Sequence, residues 1–327
     1  PIGGMAVHLQ RLLPYLNKVN ISIQMYSVGR RTAEHPVVRQ VSDKRITWFL
    51  GLLFGRCEPV HYVFSNKTWA RFAASLLSRW KRAKVVLRIG GESLHSCANS
   101  RNPIDRFMIR FAIRNADVII GVNREICSSA QLLGARRVIH IPGFIPASDD
   151  NSPIPEAVES FLSQLTGPVL LASGEVGDNP EEDLYGAYLL LDLIERMPDI
   201  SLIFYAYTIT KSEKDQDPII EEICRRGVTK RFLLFRSTTE LLPVMRRCDV
   251  LVRPTRSDGD SNSIREALQL GLPVIASDCV TRPAGVAIFP SGNLAGLQNK
   301  IVDVLGDLRD FRDNVRSLPE ANNAEAI

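Results

Sequence analysis

The stretch "DGDSNSIREALQLGLPVIASD", residues 258 to 278, gathers several reactive side chains in one loop and one helix. Asp258 and Glu266 stand eight positions apart across a predicted helix start, and Asp258 and Asp260 bracket Gly259 in the D-x-D spacing of a cation-binding pair. Ser263 and Glu266 also have the Ser-x-x-Glu spacing of a capping box, in which the serine is the N-cap and the glutamate returns to its amide. Such a box is worth on the order of 1 kcal/mol. It accounts for Glu266 alone. Asp258, Asp260, Ser261 and Asn262 remain, in front of a helix start whose unbonded amides and positive dipole end suit a phosphate. A carboxylate in the same place suits the hydroxyls of a sugar.

The first half offers a second group. Arg88 lies within the run "KVVLRI", Gly90, Gly91, Glu92 and His95 follow it, and Gly3 and Gly4 precede a helix with Met5, Leu9, Leu12, Leu13 and Leu16 on one face. The six cysteines make no C-x-x-C pair, and His95 with Cys97 is a lone H-x-C, so no metal site is expected. A reducing, cytoplasmic setting fits that cysteine pattern.

These residues need elements to position them. "ISIQMYSV", "VHYVFS", "KVVLRIGG", "ADVIIGV" and "RVIHIPG" predict strands in the first half, separated by helical spacing. "PVLLASGEVG", "SLIFYAY", "RFLLFRS", "CDVLVRPT", "PVIASD" and "GVAIFP" predict six more in the second. Nearly continuous apolar strands belong to parallel sheets covered on both faces. The fold class is therefore α/β, with two doubly wound domains: 1–148 and 149–327, divided by the Pro, Ser and Asp-rich segment 146–157. In such sheets ligands bind beyond the carboxyl ends of the strands. The opening glycine loop and helix have no strand before them, as though the first strand of the fold lies upstream.

Charge is divided unevenly. Residues 1–146 carry 22 Lys and Arg against 7 Asp and Glu, a net +15, and the remainder carries 18 against 29, a net −11. A basic body draws anions in general. The longest apolar run, "ITWFLGLLFG", is about half of the roughly 20 residues a membrane-spanning helix needs. The segment "KTWARFAASLLSRWKRAK" places Trp69, Phe72, Leu76 and Trp80 on one helical face with Arg71, Arg79, Lys81, Arg82 and Lys84 around it. That face is expected to pack on the sheet and leave the charges outside.

Taken in order, these motifs resemble the family 4 glycosyltransferases, which have the GT-B fold. "GGMAVHLQRLLPYL" is similar to that family's glycine loop and first helix, and "VVLRIGGES" to its cleft strand and loop. "ADVIIGVNREICSSAQLLGARRVIHIPGFIP" is similar to the stretch entering the hinge, and "VTKRFLLFRSTTELLPVMRRCDVLVRPTRSDG" to the base-site loop and following strand. Residues 258–266 are similar to its E-x7-E element, with Asp258 in place of the first glutamate.

The resemblance implies a nucleoside-diphosphate sugar as donor, a hydroxyl of a glycan or lipid-linked acceptor, retention of configuration, and neither metal nor other cofactor. It implies that Glu266 binds ribose hydroxyls and that the amides near Ser263 and Ile264 hold the diphosphate. Asp258, Gly259, Asp260, Ser261 and Asn262 would face the transferred sugar, and Gly3 and Gly4 would border the diphosphate. Arg88, Gly90, Gly91, Glu92 and His95 are the acceptor-side candidates.

The chain departs from the family pattern after the first strand of the second domain. An arginine and a lysine are usual there, and "SGEVGDNPEEDLYGAY" supplies acids with Tyr185 near the lysine position. Arg253 or Arg256 would then meet the phosphates. Ile89 stands where many members carry a histidine. Other readings are a manganese-dependent D-x-D transferase, a nucleotide-sugar 2-epimerase and a non-catalytic scaffold. Nucleic acid is not an expected partner. The basic half and the acceptors common in the family imply peripheral attachment to an anionic cytoplasmic membrane face.

Overall fold

The computed structural model describes residues 4–18, 25–28, 38–41, 60–65, 67–90, 94, 98–146, 152–207, 217–237, 240–319, 322–324 and 326. The chain forms two compact units, one of Met5–Ile145 with Asn323–Ile327, the other built mainly on Pro146–Asn322. The long stretch of the second unit begins at Pro146, the first residue of the Pro, Ser and Asp-rich segment 146–157. The chain terminus, however, belongs with the first unit and not with a continuous 149–327 domain. The backbone amide and the side chain of Asn323 both donate to the carbonyl of Phe144, and Ala324 is buried with Leu12 and Ile145.

In the first unit, strands β3 (Val60–Phe64), β4 (Lys84–Ile89), β5 (Val118–Gly121) and β6 (Val138–His140) form a parallel sheet in sequence order. Strands β1 (Met25–Val28) and β2 (Val38–Val41) form a separate parallel pair. β2 was not expected from the sequence, because a four-residue "VRQV" with two polar central residues gives no apolar run. Among the described residues the helices are α1 (Gly4–Lys18), α2 (Thr68–Lys81), α3 (Pro103–Asn115) and α4 (Arg124–Leu132). Asn102 and Asn123 accept hydrogen bonds from amides in the first turns of α3 and α4, which fixes where both helices begin.

The packing of α2 reverses the sequence expectation. Its buried face is Ala70, Arg71, Ala73, Ala74, Ser75, Leu77 and Ser78, whereas Leu76 and Trp80 are exposed, Trp80 by 71%. Small residues let α2 approach α3 closely. Ser75 donates to the Ala112 carbonyl at 3.4 Å, and Phe72 sits at the rim against Phe107 and Phe111, with ring centroids 6.1 and 5.1 Å away. An aromatic stripe pointing inward would hold the two backbones apart. Arg71, expected outside, is fully buried.

In the second unit, all six strands are parallel, in the order β12 (Val286–Phe289), β11 (Val274–Ser277), β10 (Val250–Arg253), β7 (Val169–Gly174), β8 (Ser201–Ala206) and β9 (Phe232–Arg236). Every residue of β7, β8, β10 and β11 is buried, and separate apolar clusters line the two faces. The covering helices are α5 (Glu156–Leu162), α6 (Ala187–Arg196), α7 (Pro218–Arg225), α8 (Leu242–Met245), α9 (Asn262–Gln269), α10 (Leu294–Gly306) and α11 (Leu308–Arg316). The strand order reverses between β7 and β10, so the ligand crevice of a doubly wound sheet lies beyond Gly174 and Arg253. Gly271 ends α9 at a φ of +71°, as its position after the helical pattern predicts.

The two faces of α2 give a direct test. Leu77→Ala should cost about 2 to 5 kcal/mol in urea unfolding, the range for truncating a buried leucine. Trp80→Ala should fall within about 0.5 kcal/mol, as exposed substitutions do. The opposite ranking would return the aromatic stripe to the core.

Candidate active site

Three buried charges meet at the switch point of the second unit. Arg253, the last residue of β10, donates Nη1 to the carbonyl of Ser173 on β7 at 2.9 Å. Its Nε and Nη2 grip the two oxygens of Asp258 at 3.1 Å each, a bidentate pair. Its guanidinium also lies over the Tyr185 ring, 4.9 Å from the centroid. Arg282, in the turn after β11, donates Nη1 to Asp258 Oδ2 at 2.8 Å, Nε to the Ser277 carbonyl at 2.9 Å and Nη2 to Thr255 Oγ1 at 3.2 Å. Burial alone would raise the Asp258 carboxyl, but the Arg253 and Arg282 guanidiniums overcome it and hold it at about 2. Two cations therefore share one anion, and the cluster carries a net positive charge.

The loop after β7 is fitted against this cluster. A Cβ on Gly174 would stand 2.3 Å from the Tyr185 ring, and one on Gly186, whose φ is +76°, would stand 2.6 Å from Pro254. Both positions need glycine. Asp183 is buried and accepts the Tyr188 amide at 2.8 Å at the start of α6; burial raises its carboxyl, against amides of that first turn. Glu175, Asp178, Glu181 and Glu182 are exposed. Arg256, a predicted phosphate ligand, instead donates to the carbonyls of Pro180 and Glu181 at 2.7 and 3.0 Å and ties down this loop.

The start of α9 corrects the capping box. Ser261, not Ser263, precedes the helix, and Asn262, Ser263 and Ile264 are its first three residues. With Ser261 as N-cap, the reciprocating position is Ile264, which has no side chain able to return to the cap amide. The Ser261 hydroxyl makes no cap bond and lies 3.0 Å from the Ser263 hydroxyl. Glu266 is buried one turn further on, and its charge adds to the burial that pushes the Tyr207 hydroxyl up to about 12.

The D-x-D pair is likewise taken up by arginine. Arg265 donates Nε to Asp260 Oδ1 at 2.6 Å, and Asp258 holds Arg253 and Arg282. Gly259 donates its amide to Asp258 Oδ1 at 3.0 Å. Among the described residues no three His, Cys, Asp or Glu side chains gather as a metal site.

The structure thus brings Asp258, Gly259, Asp260, Ser261, Asn262, Ser263, Ile264 and Glu266 to one loop and helix start, and separates Arg256 from them. Sequence reasoning missed Arg282 entirely. The available signal was its place in the loop following the carboxyl end of β11. In the first unit, Arg88 and Gly90 lie at the carboxyl end of β4; Gly4, the opening residue of α1, is grouped with the second unit. Gly3, Gly91, Glu92, His95 and Cys97 lie outside the described residues.

Residues 184–307 match the family described as "Glycosyl transferases group 1". By this segment the second unit is similar to the group 1 glycosyltransferases. The matched segment contains Tyr185, Gly186, Arg253, Asp258, Glu266 and Arg282. Among solved structures, HepE of Anabaena in complex with UDP-glucose is 16% identical, with 88% of this chain and 80% of that one covered at a TM-score of 0.67. Sucrose-phosphate synthase of Thermosynechococcus elongatus is 15% identical, over 99% and 90% of the two chains, at 0.71. The lipopolysaccharide outer core galactosyltransferase WaaB is 12% identical, over 99% and 94%, at 0.65. At these identities the likeness is one of fold, the two Rossmann-like domains of the GT-B glycosyltransferases. No curated protein matches the sequence.

Replacing Asp258 by asparagine would leave two buried guanidiniums without their anion. Asp258→Asn should lose about 3 to 5 kcal/mol of stability near neutral pH, the cost of breaking a buried ion pair. Because the folded carboxyl is depressed, its contribution is present above the ordinary value of 3.8 and is lost as pH falls to about 2. Urea unfolding against pH should show that slope in the natural chain and not in the variant. A variant as stable as the natural chain would deny the cluster its structural role.

Proposed function

We propose that this chain is a glycosyltransferase that takes a sugar from a nucleoside-diphosphate sugar and passes it to a hydroxyl of a glycan or lipid-linked acceptor, with retention of configuration and without a metal. The observation that carries the reading is the buried Arg253–Asp258–Arg282 cluster at the switch point of the second unit. A departing nucleoside diphosphate develops negative charge, and fixed donors in a dry site stabilise that charge. Arg253 and Arg282 would supply the cations that the loop after β7 lacks, with Asp258 setting their orientation. The amides of Ser263 and Ile264 at the start of α9 would hold the phosphates, and Glu266 the ribose hydroxyls.

The acids of the loop after β7 are the main argument for a non-catalytic scaffold. They weigh little: Glu175, Asp178, Glu181 and Glu182 are exposed, where water screens them, and Asp183 serves the start of α6. The UDP-glucose of HepE makes uridine donors the first to try. UDP, GDP, ADP and their sugars should be compared by thermal shift, since a ligand of the folded state raises the melting temperature by mass action. One base should stabilise the chain. Glu266→Gln should then bind that nucleotide at least about tenfold more weakly with little change in stability, because a buried hydrogen bond to a charged group is worth roughly 1.5 to 3 kcal/mol. Unchanged affinity would remove Glu266 from the site, and turnover of UDP-N-acetylglucosamine without an acceptor would favour an epimerase.

A lipid-linked acceptor would bring the chain to a membrane. No helix among the described residues is long and apolar enough to cross one. Leu76 and Trp80 of α2, and Ile104 and Phe107 of α3, are exposed on helices that also carry Arg79, Lys81, Arg106 and Arg110. Exposed apolar and basic side chains together suit the interface of an anionic bilayer, where each Lys or Arg adds roughly 1 kcal/mol. Co-sedimentation should increase with the anionic lipid fraction and decline with salt, and Trp80→Ser with Phe107→Ser should weaken it. Equal binding to neutral and anionic vesicles, or none to either, would leave a soluble glycan as the acceptor.

A further inference from the structure

The first unit buries a guanidinium that no carboxylate among the described residues neutralises. Arg88, next to last in β4, is fully buried. Its Nη2 donates to the carbonyls of Ile141 and Pro142 at 3.3 and 3.1 Å, while Nε and Nη1 make no hydrogen bond. Arg253 and Arg282 meet the same difficulty with Asp258, but no carboxylate among the described residues pairs with Arg88. An unpaired buried charge is strongly destabilising.

Other incompletely bonded polar atoms lie around it. The Arg88 guanidinium is 5.8 Å from the centroid of the Phe64 ring, and the His8 ring of α1 meets the same Phe64 edge-on at 5.4 Å. His8 Nδ1 lies 2.8 Å from the carbonyl oxygen of Gly143, which can only accept, so that nitrogen carries the proton. Burial, aided by the charge of Arg88, lowers the ring to about 4. The imidazole is therefore neutral near pH 7, and its buried Nε2 is a lone pair with no partner. Tyr62, two residues before Phe64 on β3, shares its face of the strand. The buried Tyr62 hydroxyl has no hydrogen bond of ordinary geometry, yet Arg88 is near enough to oppose the upward push that burial gives it. A Cβ on Gly90 would stand 2.8 Å from the Phe64 ring, so a glycine is what this place admits without displacing the aromatic. Phe64, Arg88 and Gly143 lie at or beyond the carboxyl ends of β3, β4 and β6, the side on which parallel α/β sheets take ligands.

Unused donors on Arg88 and Tyr62 beside an unused acceptor on His8 fit an oxyanion carried next to a hydroxyl. We infer that the first unit binds its acceptor through such a group, a carboxylate or phosphate on the acceptor sugar held by Arg88 and Tyr62, with His8 Nε2 accepting from a neighbouring hydroxyl. The inference rests on the transferase reading, which requires an acceptor without fixing its class. It makes the acceptor an acidic sugar.

The test uses the full chain, with glucuronate, glucose 6-phosphate and glucose as probes at matched ionic strength, and melting temperature and calorimetric affinity as readouts. Glucuronate or glucose 6-phosphate should stabilise the chain in a concentration-dependent way and glucose should not, and the tighter of the two acids tells carboxylate from phosphate. Arg88→Met should bind that probe at least about tenfold more weakly. Without probe it should melt no lower than the natural chain, because an unpaired charge has been removed. Should that variant fail to fold, Tyr62→Phe decides, keeping the melting temperature and weakening the probe severalfold. An equal response to glucose, no response to either acid, or an undiminished response in the variants would overturn the inference. A UDP titration run in parallel separates the two readings: failure of the acid sugars with an intact nucleotide response overturns the acceptor site alone. Binding of the acid sugars with no nucleotide response supports the site and removes the transferase reading beneath it.

Discussion

Two guanidiniums closing on one carboxylate hold the second unit's crevice in shape. Arg253 belongs to the end of β10, Arg282 to the turn after β11, and Asp258 to the loop between β10 and α9. Any one of them buried alone would be strongly unfavourable, so the three are viable only together. Because Arg253 also reaches the Ser173 carbonyl, the cluster ties β7 to β10 where the strand order reverses. α9 starts only a few residues after Asp258, and its amide-bearing first turn is placed by that anchor.

The two units treat buried arginine differently. In the second, the charges are internally matched except for one excess cation beside a helix start, an environment assembled before any ligand arrives. In the first, the groups around Arg88 among the described residues are carbonyls, an aromatic ring, a neutral His8 and the Tyr62 hydroxyl, with no carboxylate. Preorganisation on one side and an outstanding charge on the other make the two units different electrostatic environments.

Elements that are apolar throughout were legible in the sequence, because strands buried on both faces leave an unbroken run. The four central strands of the second unit announced themselves this way, the edge strands β9 and β12 gave apolar runs although only partly buried, and β2, with two polar residues in four, gave none. The face of α2 was misread for a related reason. Large aromatics dominate a hydrophobic stripe, yet close helix contact is decided by small residues such as Ala70, Ala73 and Ala74. At α9 the run "SNS" offers two serines for one cap, and only the backbone distinguishes them. Asp258 and Glu266 could be found because they are neighbours in sequence. Arg282 joins Asp258 from 24 positions away, and His8, Tyr62 and Arg88 come from three separate elements, so no spacing records either meeting.

The construction of the loop after β7 has a further consequence. Its backbone path is pinned at a few points: Gly174 under Tyr185, Gly186 against Pro254, Asp183 at the start of α6 and Arg256 on two carbonyls. None of these involves the side chains of Glu175, Asp178, Glu181 or Glu182, which stand in solvent. The loop is a rigid frame carrying replaceable charges. The electrostatic sign of the loop is therefore set by exposed side chains such as Glu175, Glu181 and Glu182, while its path is set by the buried contacts, so charge and shape at this edge of the crevice are encoded by different residues.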